Sequence, residues 1–239
     1  MIKRALKKGL ISLEVVNIRD FAKGKQKQVD DYVFGLGKGM MLRLDVVLRA
    51  LNFARNNLNN PYVILASPRG QVLNKHMICD LAKMDEFIFI CPNYEGIDDR
   101  ILGFINEEIS IGNYVISSGE LASFVILESI IRFKFSNGSL IQRENLFDDS
   151  FNYMGMDFLL EPLQYTRPRE VEINNRLIKV DSLLYSGDHE KIKNFLLREA
   201  ISMTIYKKPD LFKFFLNKYS EKIDKRVLYD AVMDSIIPS

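Results

Sequence analysis

Short runs of β-branched and aromatic residues alternate along this chain with longer stretches in which apolar positions recur every three or four residues, the pattern of parallel strands joined by helical crossovers. Residues 13–17 predict a first strand, and residues 42–57, with Leu44, Val47, Leu48 and Leu51 on one stripe, predict a helix. Residues 62–66 predict a strand ending in the turn Ser67-Pro68-Arg69-Gly70, and residues 86–91 a second ending in Pro92-Asn93-Tyr94-Glu95-Gly96. Residues 111–116 predict a third. Ser117 and Glu120 then stand at the spacing of a capping box, and the helix after them carries Leu121, Phe124, Val125, Leu127 and Ile131 at helical spacing, so those residues are expected to be buried.

The texture changes after Phe135. Ser136-Asn137-Gly138-Ser139 is a turn cluster, and residues 142–150 are polar and acidic without a period. Residues 159–181 read as extended, punctuated by Pro162 and Pro168, and from His189 the pattern is helical, with Ile192, Phe195, Leu196 and Ala200 and then Leu211, Phe214 and Phe215. The expected organisation is a first domain at 1–135, a linker at 136–151 and a small, mainly helical domain at 152–239.

A length of 239 residues accommodates one large or two modest domains, and 47% apolar with 27% charged residues is an ordinary globular balance. That balance excludes disordered and low-complexity classes. Residues 121–135, the longest apolar stretch, are broken by Glu128, Arg132 and Lys134, so no membrane span is expected. The charged amino end lacks the apolar core of an export signal, which makes the cytoplasm the expected location. Cys79 and Cys91 give no disulfide framework, and with only His76 and His189 no zinc spacing is present. A net charge of +2 speaks against binding nucleic acid through bulk basicity, although Lys3, Arg4, Lys7, Lys8, Arg19, Lys23, Lys25 and Lys27 form a local basic stretch at the amino end.

Three segments hold candidate chemistry. Gly35-Leu36-Gly37-Lys38-Gly39 is the densest glycine cluster; it follows no buried strand and lacks the Ser or Thr of a P-loop, so what survives is a backbone that a ligand can approach closely. Residues 93–100 set an aromatic ring and three carboxylates at the carboxyl end of a strand, where open α/β sheets collect ligands. Residues 110–121 bracket a further strand end with Gly112 and Gly119. The loops 66–70, 91–98 and 110–119 are therefore expected to share one pocket.

Tyr94-Glu95-Gly96-Ile97-Asp98, the run Ser-Ile-Gly-x-Tyr-Val-x-Ser-x-Gly-Glu-Leu from Ser110, Tyr165-Thr166-Arg167-Pro168 and Ser186-Gly187-x-His189 stand in one order, with Ser67-Pro68-x-Gly70 and Asn17-Ile18-Arg19-Asp20-Phe21 before them. In that order and spacing the chain resembles the bacterial tRNA (guanine-N1)-methyltransferases of the TrmD type, over nearly its whole length. The resemblance implies a SPOUT-type α/β fold, a parallel sheet tied into a trefoil knot near the end of the first domain, followed by the small helical domain. It implies S-adenosylmethionine as methyl donor, tRNA as substrate and a homodimer whose sites are shared between subunits. The positions matching the cofactor pocket are Ala66, Ser67, Pro68, Tyr94, Glu95, Gly96, Ile111, Gly112, Tyr114, Ile116, Gly119 and Leu121.

The reaction implied methylates N1 of the guanine just 3′ of the anticodon, and N1 of neutral guanine carries a proton that a base must remove. The family's base matches Asp149, which read by itself is an ordinary linker acid. Arg132, by itself a helix-surface residue, matches an arginine near the guanine, where it would stabilise charge on O6. Asp30, Asp31, Gly35, Gly37 and Gly39 would lie toward the base, and Arg167 toward the tRNA backbone. Mg²⁺ accompanies catalysis in the family, but no metal ligands can be read from spacing here. Where family members carry Cys-Gly-Arg-Tyr, Gly-Asp-Tyr, Ser-Gly-Gly and Pro-His-Tyr, this chain has Pro92-Asn93, Asn113, Ser118 and Leu163-Gln164. Pro92 removes an amide at a cofactor loop. Family members also begin with a strand upstream of the equivalent of Ile2, so the resemblance implies an earlier start or an open sheet edge. The competing readings are a SPOUT enzyme acting on another base, and a relative that binds RNA without catalysis.

Overall fold

Val63, Ile64, Leu65 and Ala66 are buried in succession, and an unbroken apolar run of this kind is what a strand covered on both faces requires. In the computed structural model every residue is described except Leu36, Lys38, Tyr94, Asn137, Ser139 and residues 141–148 and 237–239. The chain forms two units, Met1–Ile141 and Gln142–Ser239.

The first unit holds, in order, α1 (Ile2–Lys7), a 3-10 turn at Ile18–Phe21, β1 (Asp30–Tyr32), β2 (Met40–Leu42), α2 (Leu44–Asn56), β3 (Tyr62–Val72), α3 (Lys75–Leu81), β4 (Phe87–Ile90), a 3-10 turn at Asp99–Phe104, β5 (Glu107–Ser110) and α4 (Gly119–Lys134). The central sheet has the order β4-β3-β5, all parallel, with Leu65 opposite Ile90 and Ala66 opposite Ile109. Alternation along β3 sorts its side chains into two cores. Val63 and Leu65 pack with Val46, Val47 and Leu51 of α2, whereas Ile64 packs with Ile109, with Met77 and Leu81 of α3 and with Ile126 and Ile130 of α4. Each such buried aliphatic side chain contributes about 1.5–3 kcal/mol. β1 and β2 form a separate antiparallel hairpin.

Four expectations need correction. Residues 13–17 form no strand: Val15 is 86% exposed, and Asn17 instead caps the following 3-10 turn by accepting from Arg19 N at 3.0 Å. The turn at 67–70 does not end its strand. β3 runs on to Val72, with both Ala66 and Gln71 registered on Ile109 and the residues between them looped out. At Gly70 the looped chain presses on β5, where a Cβ would lie 2.4 Å from the Glu108 carbonyl carbon. The third strand is Glu107–Ser110 and not 111–116, because Ser110 Oγ bonds both the carbonyl (3.0 Å) and the amide (3.2 Å) of Gly112 and so draws the backbone out of the ladder. Finally, α4 begins at Gly119 with Ser118 as N-cap and no side-chain cap; the Gly119 amide donates to Pro92 O at 2.8 Å, so a neighbouring loop replaces the capping box.

The burial of α4 follows expectation at Ile131, which is buried, and in part at Leu127, which is half-buried, but not at the other three positions. Ala122, Ser123, Ile126, Ile130 and Ile131 face the unit's interior, while Leu121 (57%), Phe124 (46%) and Val125 (46%) are exposed. The helix is apolar on two sides, and the described residues cover one.

The second unit comprises the hairpins β6 (Asn152–Tyr153) with β7 (Met156–Asp157) and β8 (Glu170–Ile173) with β9 (Arg176–Lys179), a 3-10 turn at Ser182–Tyr185, and the helices α5 (His189–Lys207), α6 (Pro209–Tyr219) and α7 (Lys225–Ile236). Its core joins Tyr153, Leu159, Ala200, Ile201, Phe215, Ile223 and Ala231. Thr204 is buried at no cost in unmade bonds, donating to Ala200 O at 2.7 Å and accepting from Leu160 N at 2.9 Å. No helix among the described residues is long and apolar enough to cross a membrane.

Candidate active site

A parallel sheet sends all its carboxyl ends to one edge, and here the segments following Ala66, Ile90 and Ser110 leave the sheet together. The loop after β4 ties this edge to its neighbours. Asn93 bridges Ser118 antiparallel and Ile97 bridges Leu42 in parallel, Glu95 N donates to Met40 O (3.2 Å), and Leu42 N to Gly96 O (3.0 Å). Gly119 is where the first turn of α4 meets this loop: a Cβ there would stand 2.7 Å from Pro92 Cδ and 2.9 Å from the Cys91 carbonyl carbon. Gly39, at the end of the glycine cluster, packs against the Glu95 side chain, with a built Cβ 2.6 Å from its Cγ.

The structure therefore brings together the loops of Glu95 and Gly96, of Gly112 to Gly119, and of Gly39 with β2. Asp30 and Asp31 sit on the adjoining strand β1, opposite Leu42 and Met41, and Gly35 and Gly37 continue the exposed turn between β1 and β2. Ala66 is buried and Ser67 and Pro68 begin the looped-out stretch of β3, where Ser67 Oγ accepts from Arg69 N at 3.2 Å. Ile111 and Gly112 follow β5 directly, whereas Tyr114 (57%), Ile116 (36%) and Leu121 (57%) are exposed. Tyr94 lies outside the described residues.

One side-chain atom in this cluster has a bonding need that the sequence reading passed over. Asn93 Oδ1 is buried and has no hydrogen-bond partner among the described residues. An orphaned acceptor costs about 1–3 kcal/mol unless a donor arrives, so it marks where a ligand amine or hydroxyl is wanted. S-Adenosylmethionine carries such donors on its amino acid, ribose and adenine, and a polar loop cluster with an unmet acceptor fits it. The only hint in the sequence is that Asn93 stands where the family carries Arg.

The charges at this edge are mostly committed to each other. Arg69 forms a two-armed ion pair with Asp99, and Arg100 pairs with Asp98 at 2.6 Å. The hydrogen bond from Arg69 holds the Asp99 carboxyl below its ordinary range, and that from Arg100 does the same to Asp98. Carboxylates so stabilised are weak bases. Cys91 is inert for the opposite reason: burial pushes its thiol pKa up, against the bond it makes with Ser123 Oγ at 3.2 Å. A cavity of about 340 Å³ lies beside Tyr62 and Glu107, at the amino ends of their strands, but Tyr62 OH donates to Glu107 at 3.1 Å and the two largely satisfy each other.

Of the two predicted catalytic residues, one lies in the unit of the loop cluster and one in the other unit. Arg132 is exposed on α4, thirteen residues beyond Gly119 and so about 20 Å along the helix from it. Asp149 belongs to the second unit, is half-buried, and its carbonyl accepts from Asn152 N at 3.0 Å. Nearby, Ser150 N donates to Glu161 Oε1 at 2.7 Å and Gln164 donates to Glu161 Oε2 at 2.6 Å. Arg167 is exposed and lines a cleft of about 610 Å³ within the second unit.

A family model described as tRNA (Guanine-1)-methyltransferase TrmD matches residues 1–214. Among curated proteins, a tRNA (guanine-N(1)-)-methyltransferase of Thermosipho melanesiensis is 37% identical over 99% of this chain and 90% of its own length. Proteins of the same description from Thermotoga maritima and Clostridioides difficile are 35% identical over 96% of this chain and 88% of their own, and 40% identical over 89% of each.

Proposed function

The chain belongs to the TrmD family of tRNA (guanine-1)-methyltransferases, and on that premise we propose that it transfers a methyl group from S-adenosylmethionine to N1 of the guanine at position 37 of tRNA, 3′ of the anticodon. The observation that carries this reading is the family match across residues 1–214, which spans both the loop cluster and most of the second unit. A tRNA substrate makes the cytoplasm its place of work.

S-Adenosylmethionine would supply an electrophilic methyl on a sulfonium. The residues that would hold it are Ala66, Ser67 and Pro68, then Tyr94, Glu95 and Gly96, and then Ile111, Gly112, Tyr114, Ile116, Gly119 and Leu121, with Asn93 Oδ1 accepting from one of its donors. We infer that the loops around them form the trefoil knot of a SPOUT fold, as the family does, with the close backbone approach of Gly70 to Glu108 in keeping with it. Asp149 takes the N1 proton as the new bond forms. Two carboxylates of the first unit, Asp98 and Asp99, are poor competitors for that role, since their arginine partners lower their basicity. Arg132 stabilises the charge left on O6, and Asp30, Asp31, Gly35, Gly37 and Gly39 shape the place for the base.

The active unit is a homodimer in this reading. Its supports are the uncovered face of α4, continuous in sequence with exposed Tyr114 (57%) and Val115 (84%), and the distance of Arg132 from the loops of its own chain. An apolar face of that kind suits a self-complementary two-fold contact. For Mg²⁺, no group of three His, Cys, Asp or Glu side chains stands together among the described residues, so no ligand set is assigned and no step passes through a cation. The test is incubation of the protein with methyl-labelled S-adenosylmethionine and unmodified tRNA, followed by nucleoside analysis. N1-methylguanine is expected; label on a different base, or none from folded dimer, rejects the reading.

A further inference from the structure

Residues 163–179 of the second unit are all exposed, and they carry three guanidinium groups, Arg167, Arg169 and Arg176, that meet no carboxylate among the described residues; the first two line one cleft. Arg169 is nevertheless held in place: its guanidinium carbon lies 4.2 Å from the centre of the Tyr185 ring. A ring contact of this kind fixes the side chain while leaving its N–H groups unspent, which an ion pair would not do. The pair lines the 610 Å³ cleft together with Tyr165, itself 54% exposed, Arg167, and the half-buried Val180 and Leu196.

Aromatic faces, fixed cationic donors and an apolar lining together suit a ligand with a flat hydrophobic part and an anionic part. A nucleotide has both, and the cleft lies within the size range of small-ligand sites. We propose that this cleft binds one unpaired nucleotide of the tRNA anticodon loop, other than the guanine that is methylated, with its base stacked on the tyrosines and its phosphate held by Arg167 and Arg169. The inference rests on the reading of the chain as a tRNA methyltransferase. None of the residues assigned to S-adenosylmethionine lines the cleft, so the nucleotide held here is a positioning contact and not the reacting one.

The experiment uses the full-length protein and unmodified tRNA carrying the photoreactive base 4-thiouridine at each anticodon-loop position in turn. Irradiation is expected to join one position to a peptide containing Tyr165 or Tyr185. In parallel, fluorescence anisotropy compares wild type with Tyr185→Leu, Tyr185→Phe, Arg167→Gln and Arg169→Gln, each checked for an unchanged melting curve. Tyr185→Leu is expected to weaken binding about tenfold while Tyr185→Phe retains it, because only the ring is needed. Each arginine variant is expected to lower the slope of log affinity against log salt by about 0.7–0.9, the loss of one phosphate contact. Wild-type affinity and slope in all four variants, or crosslinks confined to other peptides, would overturn the cleft alone. Failure of the wild type to methylate tRNA would overturn the function on which it rests.

Discussion

The arginines around the loops of the first unit and those of the exposed segment 163–179 of the second are held differently, while elsewhere in the second unit Arg198 pairs with Asp234 at 3.0 Å. In the first, Arg43 and Arg49 both bond Asp45, Arg69 pairs with Asp99, Arg100 with Asp98, and Arg55 donates to Phe104 O. In the exposed segment of the second, Arg169 rests on a ring and neither it nor Arg167 has a carboxylate partner among the described residues. A guanidinium whose donors are spent on a carboxylate secures a loop and has little left for a ligand. The first unit therefore grips mainly with main chain, brought into place where loops touch at Gly119 and Gly39, and the second with side chains. The difference predicts how each will fail: side-chain changes in the second should remove chemistry or RNA contacts while leaving the fold, and glycine changes in the first should act through fit.

The largest effect is expected at Asp149. Asp149→Asn keeps the shape of the side chain but cannot take a proton, and loss of a general base is worth about 10²- to 10⁴-fold in rate. Single-turnover methyl transfer should fall by that much with the melting temperature and S-adenosylmethionine binding unchanged. Near-normal transfer across a range of pH would move the role to another carboxylate, Glu95 or Glu161. Of these, Glu161 is already engaged by Ser150 N and Gln164.

Next in size is Gly119→Ala. The added Cβ meets backbone and ring atoms of Cys91 and Pro92, which cannot swing aside, so the loop must move. Overpacking of this kind costs about 1–3 kcal/mol in stability, and the displaced loop is the one carrying Asn93. Calorimetry should show S-adenosylmethionine binding weakened by about tenfold or more, in step with that cost. Retained affinity at a lowered melting temperature would mean that the loop holds the fold and not the ligand. Asn93→Ala gives the complementary reading, because it removes an acceptor without moving backbone.

Much of the scaffold was legible from residue pattern. The buried strand and its crossover helices follow from apolar runs at 62–66 and 86–91 and from the stripe of α2, because period and burial are local properties of the sequence. The pattern failed where a side chain competes with the ladder, as Ser110 does, where a distant loop supplies a cap, as Pro92 does for α4, and where β3 loops out without ending. It also failed on α4, whose two apolar faces are indistinguishable by spacing; only packing shows that Ile126 and Ile130 face inward and Leu121, Phe124 and Val125 do not. The loop cluster was legible from glycines and carboxylates at the strand ends, whereas Asp149 and Arg132 entered only through family resemblance, since neither carries a local signature. The unmet acceptor on Asn93 and the ring-held Arg169 were invisible in the sequence, because each depends on what surrounds it in space.

The smallest effect sharpens the contrast between paired and unpaired arginines. Asp99 and Arg69 are each more than half exposed, so their ion pair is worth about 0.2–1 kcal/mol after solvent screening. Arg69 depresses the carboxyl pKa of Asp99 in the folded protein. The contribution is therefore fully present above the unfolded value of about 4 and is lost as pH falls through the lower folded value. Denaturant titrations of Asp99→Asn should show this deficit at neutral pH, shrinking with added salt and closing in acid as the wild-type carboxyl protonates. Arg167→Gln should show no deficit at any of these pH values, because its guanidinium holds no carboxylate among the described residues. An equal stability loss in the two variants would mean that Arg167, too, is a structural residue, and the distinction between the units would fail at its simplest point.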